Sequence, residues 1–234
     1  VVYEVGPYGE GLADAFIENF EGGGRTVVKR SFSSSSERDE SVAAAGSGGF
    51  DQLLFIGSSK EDLTALFFAA GQLDEFTTTD DPVGIFLSDG AYYIDIFEDV
   101  SDYEELFDQV RGTRPTTIPG TVYDSFSASY AATFGGQDPA EAAFTAYAYD
   151  AAWLMLYGVA WSNYQVGEIS GLGIGRGLRN ISAGDEVDIK PSTWISVRAN
   201  FEAGESIDVV GASGELDYDE TTGETASPIE VWGV

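Results

Sequence analysis

An α/β fold built around a parallel sheet is what this sequence predicts, on three observations. Apolar runs of strand length recur at residues 1–5, 52–56 and 83–87. The run at 52–56 is continuous enough in apolar residues to be buried on both faces, as in parallel sheets. After each of these runs a turn leads into apolar residues at helical spacing, and strand-then-helix units in succession imply right-handed parallel crossovers.

The first unit organises the rest. Residues 1–5 are a short β-branched run, and Gly6-Pro7-Tyr8-Gly9 breaks it with turn residues. Leu12, Ala13, Phe16, Ile17 and Phe20 then recur at helical spacing. A bare buried strand at the very start, with no targeting segment before it, reads as a fold that is entered part-way through.

Gly22-Gly23-Gly24 stops the first helix, and residues 26–30 read as a second strand. A short helix is expected over 37–45, followed by the third strand at 52–56. Ser58-Ser59-Lys60-Glu61 matches a capping box, with Ser58 or Ser59 as N-cap. The helix it opens carries Leu63, Leu66, Phe67 and Ala70 on one face. A fourth strand at 83–87 ends at Ser88-Asp89-Gly90, and Tyr103, Leu106, Phe107 and Val110 mark another helix.

The character changes near Arg114-Pro115. Helices are expected at about 123–134, 139–161 and 167–181. Residues 142–161 carry a single charge, Asp150, yet the run is built from Ala, Tyr and Thr without basic flanks. A buried helix is therefore expected rather than a membrane span. Gly171-Leu172-Gly173-Ile174-Gly175-Arg176-Gly177 lacks G-x-G-x-x-G spacing and a preceding strand, so it reads as a flexible helix or close helix packing. Residues 194–201 and 207–210 read as extended, 211–219 and 221–224 as hairpin turns, and 229–232 as a last strand. The second half is short of strands, so its helices are expected to lack a sheet to cover them.

Composition bounds the chemistry. Eleven basic residues against 40 acidic ones give a formal charge of −29, which argues against nucleic acid and anionic membranes as partners. With no cysteine and no histidine, disulfides, thiolate nucleophiles, the usual structural zinc and histidine triads are excluded. No EF-hand spacing appears, so no metal is expected. Neither a base–nucleophile pair nor a cofactor motif is legible, and no enzyme is expected.

In an open parallel sheet, ligands sit beyond the carboxyl ends of the strands. Tyr8 and Glu10 follow the first strand, Ser58 and Ser59 the third, and Ser88 and Asp89 the fourth. Hydroxyls, helix N-terminal amides and one carboxylate on one edge suit a small zwitterion. The amides and hydroxyls would take its carboxylate, and Asp89 its ammonium.

Pro7-Tyr8-Gly9-Glu10-Gly11-Leu12-Ala13, Phe55-Ile56-Gly57-Ser58, Leu87-Ser88-Asp89-Gly90, Tyr149-Asp150-Ala151-Ala152 and the turn at 211–219 together resemble one family. It is that of the type-I periplasmic solute-binding proteins, in the branch that binds branched-chain amino acids for ABC transporters. The resemblance runs over the later two-thirds of a family member. It implies a two-lobed flytrap that closes on its ligand: residues 1–114 and 222–234 as the second lobe, 115–221 as the returning helical part of an incomplete first lobe. It further implies Tyr8 as an aromatic ligand contact and Asp89 as the acid holding the ligand's ammonium. Ser58 stands where those binders often carry an aromatic residue. The expected partners are a small amino acid or related amide and a transporter permease. An extracytoplasmic or periplasmic location follows, with lipid anchoring upstream of Val1. A receptor ectodomain of the same fold and an acidic calcium-dependent interaction protein are the alternatives.

Overall fold

The computed structural model describes every residue except Ile94 and Glu220. Its strands, in chain order, are β1 (Val2–Glu4), β2 (Arg30–Phe32), β3 (Gln52–Ile56), β4 (Gly84–Leu87), β5 (Val110–Pro115), β6 (Asp185–Asp188), β7 (Ile207–Val210) and β8 (Ile229–Gly233). The main helices are α1 (Pro7–Phe20), α2 (Ser35–Ser47), α3 (Lys60–Ala70), α4 (Asp74–Thr77), α5 (Ile96–Asp99), α6 (Thr121–Thr133), α7 (Thr145–Trp161), α8 (Gly171–Gly177) and α9 (Trp194–Ala203). The chain divides into two compact units, Val1–Arg114 with Glu230–Val234, and Pro115–Ile229.

The first unit is a mixed α/β layer structure on a six-stranded sheet of order β2-β1-β3-β4-β5-β8. The pairs β1–β2, β1–β3, β3–β4 and β4–β5 are all parallel. Its core is made by Leu53, Phe55, Ile85 and Leu87 from the strands against Leu63, Leu66 and Phe67 of α3. Phe67, Phe97 and Phe107 meet edge-to-face at one end of it. From β1 the chain crosses outward to β2, then back past β1 to β3. The loops leaving β1 and β3 therefore diverge, the arrangement at which open α/β sheets receive ligands.

Three local expectations for this unit shift, the first being Val110, which opens the strand β5 beside β4 where the end of a helix is expected. The second strand lies at Arg30–Phe32, not 26–30, because parallel register with β1 pairs Val2 with Arg30 and Glu4 with Phe32. The β-branched residues before it form no strand. The stretch from Ser101 to Gln109 is made of 3-10 turns rather than an α-helix.

In the second unit, α7 and α9 pack on the parallel pair β6–β7, and α8 packs on α7. Among the described residues this short pair supplies sheet where almost none was expected. Its apolar positions Val187, Ile207 and Val209 are buried with Tyr157, Val197 and Phe201. The stretch expected to be extended over 194–201 is the helix α9. Val197 and Phe201, one helical turn apart, are its buried residues, and the Tyr157 and Trp161 rings of α7 lie against the Phe201 ring.

The glycine run of α8 serves close packing. A Cβ on Gly177 would stand 2.9 Å from Gly158 Cα, and one on Gly158 would stand 2.8 Å from the Ile174 side chain. Helix α7 buries one face only. Met155 and Leu156 on its other face are exposed, as are Leu172 and Ile195. No helix among the described residues is long and apolar enough to cross a membrane.

Asp150, 2% exposed, joins α7 to the turn after β7. It accepts hydrogen bonds from the backbone N–H groups of Ala212 and Ser213 and from the Ser213 hydroxyl, at 2.6–2.8 Å. Burial pushes its carboxyl above the ordinary value, against the pull of these three donors.

Candidate functional site

The site is assembled by the turns that follow β1, β3 and β4. Helix α1 starts on Pro7, whose fixed φ suits the first helical turn and whose missing N–H needs no partner. Its first turn comes down onto the end of β1. A Cβ on Gly9 would lie 1.9 Å from the Glu4 carbonyl oxygen, so only glycine allows this approach. Tyr8 is thereby directed toward the end of β4.

Its phenol donates to Asp89 Oδ1 at 2.6 Å, with Ser88 Oγ 3.0 Å from the phenolic oxygen. The Gly90 N–H donates back to the same oxygen at 3.1 Å. Burial first, and then the Asp89 hydrogen bond, push the phenol up to about 12. Tyr8 thus stays a neutral donor at any physiological pH. A Cβ on Gly90 would stand 2.9 Å from the Tyr8 hydroxyl and 3.1 Å from the Gly57 carbonyl, which shows how tightly the three turns meet.

Ser58 lies at the same edge but faces a different partner. Its N–H and its hydroxyl both donate to Glu4 Oε2, at 3.2 and 2.8 Å. Its carbonyl accepts from the Tyr93 hydroxyl at 2.6 Å, which ties the end of β3 to the turn after β4. Ser59 is drawn into its own helix. Its oxygen caps α3 by accepting from the Asp62 N–H at 3.0 Å, and its hydroxyl donates to Asp62 Oδ2 at 2.7 Å. Behind it the buried Arg38 guanidinium pairs with Asp62 and with Asp39.

Tyr8 and Asp89 are therefore in direct contact, Ser58 is beside them, and Ser59 acts as a helix cap. Glu4 and Tyr93 were not singled out from the sequence. Glu4 carried a usable signal, as an acid closing an apolar strand. Tyr93 carried none, because nothing local tells which carbonyl a tyrosine hydroxyl will reach. Among the described residues no group of three or more acidic side chains stands together as a metal site.

No family model matches this chain, and no curated protein matches it by sequence. Among solved structures it is similar to a chain from Silicibacter pomeroyi described as a "putative branched-chain amino acid ABC transporter". The TM-score is 0.50 at 16% identity, over 78% of this chain and 45% of that one. The likeness establishes the fold: an α/β lobe of the type-I periplasmic-binding kind, with a mostly parallel sheet. The chain spans less than half the length of that protein.

Proposed function

We propose that this chain is part of a solute-binding protein that captures a small amino acid or related amide for an ABC transporter. Residues 1–114 with the last strand form one lobe, the remainder belongs to the other, and closure of the two retains the ligand. Such a protein works outside the cytoplasm and hands its cargo to a membrane permease.

The observation that carries the reading is the convergence of Tyr8, Ser58 and Asp89 at the carboxyl ends of β1, β3 and β4. That convergence coincides with the reversal of strand order, where open α/β sheets receive ligands. Asp89 is half-buried, and one of its oxygens already receives Tyr8, so the carboxylate is held in a fixed direction. A carboxylate so presented suits the ammonium of an amino acid. The similar chain from Silicibacter pomeroyi carries a description of the same kind.

The test is mass spectrometry of small molecules released from the purified protein, followed by calorimetry with the compounds found. Asp89→Asn is expected to weaken an amine-bearing ligand by roughly 1.5–3 kcal/mol, the range for a hydrogen bond to a charged group. Unchanged affinity would remove Asp89 from the site.

A further inference from the structure

We infer that this chain carries a second small-molecule site, at the amino ends of β1, β2 and β3, and that it takes a short aliphatic carboxylate. It lies at the opposite end of these strands from Tyr8 and Asp89, so the inference is independent of the binding reading above.

A cavity of about 80 Å³ lies there, between the end of α1, the segment before β2 and the first residues of β1 and β3. Phe16, Phe20, Val27, Val28, Leu53 and Leu54 form its apolar walls. The Phe16 and Phe20 rings stack with centroids 4.8 Å apart, which makes one wall flat. The Val1 nitrogen donates to the Val28 carbonyl at 2.7 Å, and the Arg30 N–H donates to the Val1 carbonyl at 2.9 Å. These bonds hold residues 26–28 alongside β1, although they form no strand. A dry apolar cavity of about 150 Å³ binds benzene, so one of roughly half that volume holds a tail of about three carbons.

Charge decides the head group. The chain has 40 acidic residues, yet among the described residues none lines this cavity. Three larger clefts are each lined in part by acids: Asp150 and Glu224 in one, Glu75 and Asp81 in another, Glu61 and Asp99 in the third. Conversely, three of the eleven basic residues, Arg25, Lys29 and Arg30, fall within six positions here. Lys29 is paired with Asp14, and the Arg25 guanidinium lies 4.6 Å over the Phe20 ring. Arg30 lines the cavity, and among the described residues its guanidinium has neither an ion pair nor a hydrogen bond. A guanidinium presents a planar fork that matches a carboxylate with two parallel hydrogen bonds. An ammonium in the same place would meet the like charges of Arg25 and Arg30.

The test uses the full chain labelled with nitrogen-15 and three four-carbon probes at matched ionic strength: sodium butyrate, butan-1-ol and butylammonium chloride. Butyrate is expected to shift the Val27 and Leu53 amides saturably, butanol to do so about tenfold more weakly, and butylammonium not at all. Tenfold is the order of one hydrogen bond to a charged group. Arg30→Gln is expected to bring butyrate down to the level of butanol, whereas Arg30→Lys keeps the preference for the anion. Ala45→Leu, which fills the cavity from the α2 side, is expected to abolish the response to butyrate and butanol alike. Melting curves close to wild type establish that the variants fold, and if Ala45→Leu fails this check, Arg30→Gln decides. No saturable response to butyrate, or an equal response to butylammonium, overturns the inference. So does a butyrate response that survives Arg30→Gln unchanged, or one confined to Ser58 and Gly90 at the other end of the strands. That last outcome leaves the binding reading of the Tyr8 and Asp89 edge in place.

Discussion

The Tyr8 hydroxyl donates to Asp89 across 2.6 Å, joining residues 81 positions apart at the ends of two strands that are not neighbours in the sheet. Strand β3 lies between them, and the phenol spans its end. The contact therefore closes the edge at the place where strand order reverses, and it determines which way the Asp89 carboxylate faces.

Removing that hydroxyl has a signature in alkali. The phenol's ordinary value of 10.0 rises to about 12 in the folded chain, chiefly through burial. The folded state holds this proton more tightly than the unfolded one. Its contribution to stability is thus fully present below pH 10 and lost as pH rises through about 12. Urea unfolding of Tyr8→Phe across that window is expected to show a shallower decline than the wild type. The fully buried Tyr157, also raised to about 12 by burial, accounts for much of what remains. Equal slopes in the two proteins would show that Tyr8 is not held in this contact.

Two glycines of α1 separate packing from propensity. Gly9→Ala sets a Cβ against the Glu4 carbonyl at 1.9 Å, so α1 must move off β1. A loss of about 2–3 kcal/mol is expected from such overpacking. Gly11 has nothing within 4 Å of its Cβ position. Gly11→Ala is expected to stabilise the protein by roughly 0.5–1 kcal/mol, as alanine replaces glycine in a helix. Thermal melts of the pair should move in opposite directions.

Asp150 holds the second unit together through its three donors. Asp150→Ala leaves two buried N–H groups and a buried hydroxyl without their acceptor, and a cost of about 3 kcal/mol is expected. The pH dependence runs toward acid. The folded carboxyl lies above its ordinary 3.8, so its linkage favours folding most below that value. It fades as pH rises through the raised folded value. The stability difference between wild type and the non-titrating Asp150→Asn should narrow along the same path, measured by urea unfolding.

Arg38 supports the edge from behind. Its side chain is 7% exposed, and its guanidinium pairs with Asp62, the acid that Ser59 contacts at the start of α3. Arg38→Met should cost about 2 kcal/mol, between the values for exposed and buried pairs. It should also speed amide exchange at the first turn of α3. Exchange that changes uniformly across the chain would argue against this local role.

The order from β1 to α3 and the place of β4 could be read directly, because β3 and β4 are apolar runs set between turns. The Ser59 cap was legible for a similar reason, since a cap is a relation between residues three apart. Strand β5 could not be read, since Val110 reads as the end of a helix and is the first residue of that strand. Residues 194–201 misled. Trp194-Ile195-Ser196-Val197 alternates like a strand, yet Val197 and Phe201 find buried places beside Tyr157 only when the backbone is helical. The β-branched residues before β2 misled too, since register with β1 selects Arg30–Phe32.

The sequence by itself determined the α/β class, the exclusion of histidine and cysteine chemistry, and the position of Tyr8, Ser58 and Asp89 just past strand ends. These are properties of composition and of local period. Only the tertiary structure decided the strand order, the contact of Tyr8 with Asp89 and the engagement of Ser58 by Glu4, 54 residues away. Local period says which residues leave a strand together. It is silent on which strand lies beside which, and that adjacency decides whether a hydroxyl meets a ligand or an acid of its own chain.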